Sequence, residues 1–253
     1  MNSAVGYETT ALRSQLAEMC AMAAQALDHA THALLLADMG TAEAVIGGYK
    51  EIAATSSTAE ETTFLLLALQ PPAATELRAA VNAIRIAADA ERMGELAVNV
   101  AEIARRHHPR HAVPAEVSGR VAELSALAVA LAWTAQEVLL SREPQLTPRA
   151  CRSESAIGEL HRQLLAVLID PRWPYDVAAG VGVALVSRLY ERFADHAVRI
   201  AERCALQPNG YYSRALSPPS SYNTPRLAVT QRNGSTQRNG AIPRALSRFP
   251  TGG

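Results

Sequence analysis

The sequence predicts an all-α protein made of two tandem copies of one three-helix bundle, followed by a disordered tail. Three observations carry this. Of 253 residues 49% are hydrophobic but only 5% aromatic. The apolar content is mostly Ala, Leu and Val, of which Ala and Leu are strong helix formers. Apolar residues recur at helical spacing through long stretches that end at proline- or glycine-bearing breaks. A twelve-residue segment also occurs twice, as ERMGELAVNVAE at 91–102 and ERFADHAVRIAE at 191–202, with six identical positions. A period of 100 residues marks a duplicated domain rather than a solenoid, whose repeats run to about 20–50 residues.

Six helices follow from the pattern. The first runs over 8–38, with Leu12, Leu16, Met19, Ala23, Ala26, Ala30 and Leu34 as its core stripe. Asp38-Met39-Gly40 reads as a stop and Thr41 as the next N-cap. The second helix spans 41–69 and ends at Gln70-Pro71-Pro72. The third spans Thr75 to His107, with Leu77, Val81, Ile84, Ile86, Ala90, Met93, Ala97, Val100 and Ala104 facing inward, and His108-Pro109 ends it. The fourth begins at Pro114, a suitable first-turn residue, and reaches Ser141. The fifth runs from Thr147 to Ile169 and the sixth from Pro174 to Leu206. Short connections make sequential helices antiparallel neighbours. The predicted units are therefore a first bundle at 8–110, a second at 114–206, and a tail at 207–253. The tail contains QRNG twice, is rich in Arg, Ser, Pro and Asn, and has no apolar period.

Charge is balanced overall but unevenly spread. All 24 acids precede residue 206, so residues 1–205 carry 18 bases against 24 acids, a net of −6. The tail carries six arginines and no acid. An acidic body argues against nucleic acid as the main partner. Cys20, Cys151 and Cys204 are odd in number and form no CxxC, which suits a reducing cytoplasm rather than a disulfide framework. The start, MNSAVGYETT, has no basic segment leading into an apolar run. The stretch VAAGVGVALV at 177–186 is too short to span a bilayer, so a membrane would be reached only through partners.

The repeated segment is acidic on one side. Positions i, i+4 and i+11 share a helix face. Glu91, Glu95 and Glu102 form one stripe, and Glu191, Asp195 and Glu202 repeat it. Like charges at i and i+4 repel by about 0.2–0.5 kcal/mol, and two arrangements would offset this. One is a lattice of surface ion pairs, from Arg188, Arg192 and Arg199 in the second copy and Arg85 and Arg92 in the first. The other is a divalent cation held between this stripe and acids on the preceding helix. Candidates there are Glu60 and Glu61 in the first copy, and Glu154 and Glu159 in the second. The Glu-x-x-His pairs of di-iron bundles are missing. His29 and His32 read as surface residues, and RRHHPRH at 105–111 as a cationic complement to a helix C-terminus. No Ser-His-Asp pattern on a turn, GxGxxG or Walker motif is present, so no catalytic residue is expected.

The segment QPPAATELRAAVNAIRIAADAERMGELAVNVAEIARR at 70–106 resembles the first motif region of the PhoU family of phosphate-transport regulators. The matching features are Gln70-Pro71, Glu76-Leu77-Arg78 and Glu91-Arg92-Met93-Gly94-Glu95. YERFADHAVRIAER at 190–203 resembles the second copy, and the likeness covers about 8–206. The resemblance implies two three-helix bundles, often dimeric, and a cytoplasmic regulator without catalytic activity. Such a regulator contacts the ATPase subunit of a phosphate ABC transporter and a phosphate-sensing histidine kinase, and damps uptake and the starvation response. It also implies iron or another divalent metal on paired acidic motifs. Carried onto this chain, those are Glu91, Glu95, Glu191 and Asp195, with Glu60 and Glu154 facing them. Arg78, Arg92, Arg192, Glu102 and Glu202 are the candidate partner-binding residues. This chain departs from the family where Glu95 replaces Asp, Ala194 replaces Gly, and Gly158 stands where a partner acid for Glu154 belongs. The alternative is a metal-carboxylate bundle that stores metal or does redox chemistry.

Overall fold

The structure, a computed structural model, describes residues 2–69, 74–141 and 147–205. Among them are six helices and no strand: α1 Asn2–Leu36, α2 Met39–Leu69, α3 Ala74–His107, α4 Ala115–Ser141, α5 Thr147–Leu168 and α6 Val177–Ala205. The expected breaks at 70–72 and 142–144 and the expected disordered tail lie outside the described residues.

The helix ends follow their local chemistry. Ala37 takes a left-handed conformation with φ of 54°, and the Asp38 amide bonds back to the Ala33 carbonyl at 3.1 Å. Asp38, not Thr41, then caps α2. Its carboxylate accepts from the Thr41 amide at 3.2 Å and the Thr41 hydroxyl at 2.6 Å, so α2 starts two residues earlier than the sequence suggests. Asp176 caps α6 through the Ala179 amide at 2.8 Å, and α6 therefore begins at Val177 rather than Pro174. The histidine-rich segment caps a neighbour: His108 Nδ1 meets the Ala37 carbonyl and His111 Nδ1 the Leu35 carbonyl, each at 2.9 Å. These carbonyls end α1 and have no intrahelical donor.

Within each repeat the three helices pack on one another, and α1 with α4 and α3 with α6 join the repeats into one core. The register of the duplication is visible in the burial. Met93, Ala97, Val100 and Ala101 of α3 are buried, as are Phe193, Ala197, Ile200 and Ala201 of α6. On the preceding helices Ile52 and Ala59 correspond to Ile157 and Leu164, 105 residues on, and all four are buried. At the centre, Thr31 Oγ1 on α1 donates to the Leu27 carbonyl at 2.8 Å. It thereby accepts from the Ser125 hydroxyl of α4 at 2.8 Å and the Tyr190 hydroxyl of α6 at 2.9 Å. Among the described residues, helix α4 is long and apolar enough to cross a membrane by length and composition. It packs against α1, α5 and α6 and buries Leu124, Ala128, Leu131 and Ala132.

Two expected core residues are outside it. Leu77 and Val81 on the first turns of α3 are exposed, and so are the repeat-related Val177 and Val181 of α6. The neighbouring ends carry Phe64 and, 105 residues later, Ile169, both also exposed. Helical periodicity identifies an apolar face but not what covers it.

Candidate site: two acidic faces that are not equivalent

In the first repeat the residue opposite Glu91 and Glu95 is Tyr49 of α2. Its hydroxyl reaches Glu91 Oε1 at 3.2 Å and Glu95 Oε1 at 3.3 Å. Arg92 pairs with the other oxygen of Glu95. The helices approach closely here because Gly94 carries no side chain. A Cβ at that position would sit 2.9 Å from Ile52 Cδ1 and 3.5 Å from Tyr49 Cδ2. Burial, then the charges of Glu91 and Glu95, push the Tyr49 phenol up to about 12, so it remains a protonated donor at neutral pH. Glu60 does not take this place. It lies eleven residues beyond Tyr49 on α2, about 16 Å along the axis. Glu102 pairs with Arg106, one turn on.

In the second repeat the position 105 residues after Tyr49 is Glu154. Burial pushes the Glu154 carboxyl up, and the charges of Asp195 and Glu202 push it further, with partial relief from Arg199. Asp195 is likewise raised by burial and by Glu191, against Arg188, Arg199 and His196. Arg188 pairs with Glu191 directly, and His161 Nε2 lies 3.7 Å from it. His161 is oriented from its other nitrogen. Ser187 Oγ donates to the Ala184 carbonyl at 2.9 Å, so at 2.9 Å it accepts from His161 Nδ1–H. Ser187 is fully buried. Glu159 pairs with Arg162 away from this cluster.

The donor sets decide how a divalent cation would fit. The first face offers carboxylates already bonded to a phenol and a guanidinium, with no acid from α2 opposite. The second face offers carboxylates from both helices. Among the described residues no three of His, Cys, Asp and Glu converge as a metal site. Of the expected partner-contact residues, Arg78 is exposed near the start of α3, Arg92 is engaged with Glu95, and Arg192 is half-buried on α6. Glu202 acts on Glu154.

A polar contact that the sequence reading missed links the two repeats. Asp89 of α3, 8% exposed, accepts from His196 Nδ1 at 2.8 Å and Arg203 Nε at 3.1 Å, both on α6. The repeat-related positions are Leu189, Leu96 and Ile103, all apolar. That break in the repeat is the signal by which the sequence could have disclosed the contact.

The acidic stripes thus sit on the last helix of each copy of a duplicated three-helix bundle, which defines the chain's structural class. The PhoU domain matches the chain twice, over residues 16–104 and 121–204, and the chain belongs to the PhoU family. It is 49% identical to the phosphate-specific transport system accessory protein PhoU homolog 2 of Mycobacterium tuberculosis, over 84% of this chain and all of that protein. It is 47% identical to PhoU homolog 1 of Mycobacterium leprae, over 87% of this chain and all of that protein. The fold matches the crystal structure of PhoU from Pseudomonas aeruginosa with a TM-score of 0.68 and 23% identity, covering 79% of this chain and 96% of that one. It also matches the phosphate transport system regulatory protein PhoU from Streptococcus pneumoniae with a TM-score of 0.73 and 20% identity, covering 83% and all of the two chains.

Proposed function

We propose that this chain is a negative regulator of phosphate uptake and of the phosphate-starvation response, acting by protein contact in the cytoplasm and not by catalysis. Its partners in this reading are the ATPase subunit of a phosphate ABC transporter and a phosphate-sensing histidine kinase, and the chain works as a homodimer. The relatives named above are accessory proteins of phosphate-specific transport systems, which supports the substrate system. The single observation that carries action by contact is the duplicated exposed apolar face. Leu77 and Val81 on α3 and Val177 and Val181 on α6 leave the same turns uncovered in both repeats. An uncovered apolar face at a matching place in two repeats gives a partner two points of attachment, and two linked contacts bind far more tightly than one.

The test is affinity capture with the full chain as bait, from phosphate-replete and phosphate-starved cells, beside a Leu77→Glu/Val177→Glu variant. Enrichment of a phosphate-transporter ATPase or a sensor histidine kinase, lost in the variant, is the expected result. Absence of both partners under both conditions would sink the regulator reading.

A further inference from the structure

We propose that Tyr49 takes the place of a cation in the first repeat: its hydroxyl, together with Arg92, neutralises the Glu91–Glu95 pair from within the chain, so this face holds no metal. The inference rests on the repeat register and on the bonds made. Ile52 and Ile157, both buried, fix the offset between α2 and α5 at 105 residues. The same offset places Tyr49 where the second repeat has Glu154. A carboxylate there adds a third negative charge to an acidic face and leaves room for a cation to balance it. A phenol adds none, and its single proton is shared by two acceptors 3.2 and 3.3 Å away. Arg92 occupies the remaining oxygen of Glu95.

Packing points the same way. Gly94 lets the ring of Tyr49 and the side chain of Ile52 lie directly against α3, with Ile52 Cδ1 only 2.9 Å from where a Cβ would stand. The second repeat has Ala194 at this position. The first face is therefore a close approach of two helices at Gly94, its acids met by a neutral and a cationic donor. The second keeps acids on both of its helices. The two repeats share ancestry of sequence but differ in how their acids are satisfied.

The experiment uses the full chain, stripped of metal and then equilibrated with Mn²⁺ alone, with bound Mn²⁺ and Tm as readouts. Mn²⁺ uptake is expected to be the same in the wild type and in Glu91→Gln/Glu95→Gln. Uptake that falls in the double variant would overturn the proposal. Tyr49→Phe keeps the ring but removes the shared proton. It is expected to lower Tm in metal-free buffer, and to lower it less when Glu91→Gln/Glu95→Gln is already present. An equal drop in both backgrounds would mean that the hydroxyl does not serve these carboxylates, and would overturn the proposal as well.

Discussion

His196 Nδ1 lies 2.8 Å from Asp89 Oδ1, and Arg203 Nε lies 3.1 Å from Asp89 Oδ2, so one buried carboxylate of the first repeat is held by two donors of the second. The repeat-related residues Leu189, Leu96 and Ile103 pack against the core instead. The α3–α6 contact thus has one polar and one apolar side, although both helices descend from one sequence. This polarity fixes which helix faces which, because exchanging the two would bury a carboxylate against leucine.

Removing the carboxylate should be costly. Asp89→Ala leaves His196 and Arg203 half-buried without their acceptor, and should destabilise by about 2–4 kcal/mol. A triple variant carrying the apolar set of the other side, Asp89→Leu/His196→Leu/Arg203→Ile, should recover most of that loss. Urea denaturation of the two variants measures both effects, and a triple variant no better than Asp89→Ala would refute the polar–apolar equivalence.

The same residue gives an acid limb. Burial raises the Asp89 carboxyl, but the His196 hydrogen bond and the Arg203 charge outweigh it and hold it below the ordinary carboxylate value. Its stabilisation is present above the unfolded-state value and is lost as pH falls through the folded one. Glu154 and Asp195 act in the opposite sense. They are raised by burial and neighbouring acids, so they favour the folded state at low pH and oppose it as pH rises through their folded values. Glu154→Gln should therefore raise stability at pH 7 by a few tenths of a kcal/mol to about 1 kcal/mol. The gain should vanish near pH 4, and thermal melts at both values check it.

Gly94→Ala sets helix propensity against space. Alanine favours the helix by about 1 kcal/mol, but its Cβ would meet Ile52 Cδ1 at 2.9 Å and Ile52 Cγ2 at 3.2 Å. Overpacking of this kind costs about 1–3 kcal/mol, so net destabilisation is expected. Ile52→Val removes the Cδ1 clash and should cost less in the Gly94→Ala background than in the wild type. A double-mutant cycle showing no coupling would contradict the close approach.

Tyr190→Phe tests the central junction. Tyr190 is fully buried and its hydroxyl meets Thr31 on α1. Loss of that hydroxyl should cost about 1–2 kcal/mol, the worth of a buried hydrogen bond. Thr31→Val should cost more, since it also strands the Ser125 hydroxyl. Equal losses in the two variants would mean Ser125 does not depend on Thr31.

The sequence by itself determined the six helices, the duplication and the core stripes from Leu12 to Leu34 and from Ile86 to Ala104, because these are local. Helical periodicity, caps and breaks act within a few residues, and a repeat is visible wherever it falls in the chain. Leu77 and Val81 were misplaced because periodicity names a face but not what covers it. The Asp38 cap was overlooked in favour of Thr41 because both residue types cap helices and only backbone direction separates them. What the acids do was decided by tertiary structure alone. Tyr49 reaches Glu91 and Glu95 across 42 and 46 residues, and Asp89 meets His196 across 107. A helix stripe of glutamates looks the same in sequence whether a phenol, an arginine or another acid stands opposite. The packing of α2 on α3, α5 on α6 and α3 on α6 chooses among them, and that choice makes the two repeats chemically different.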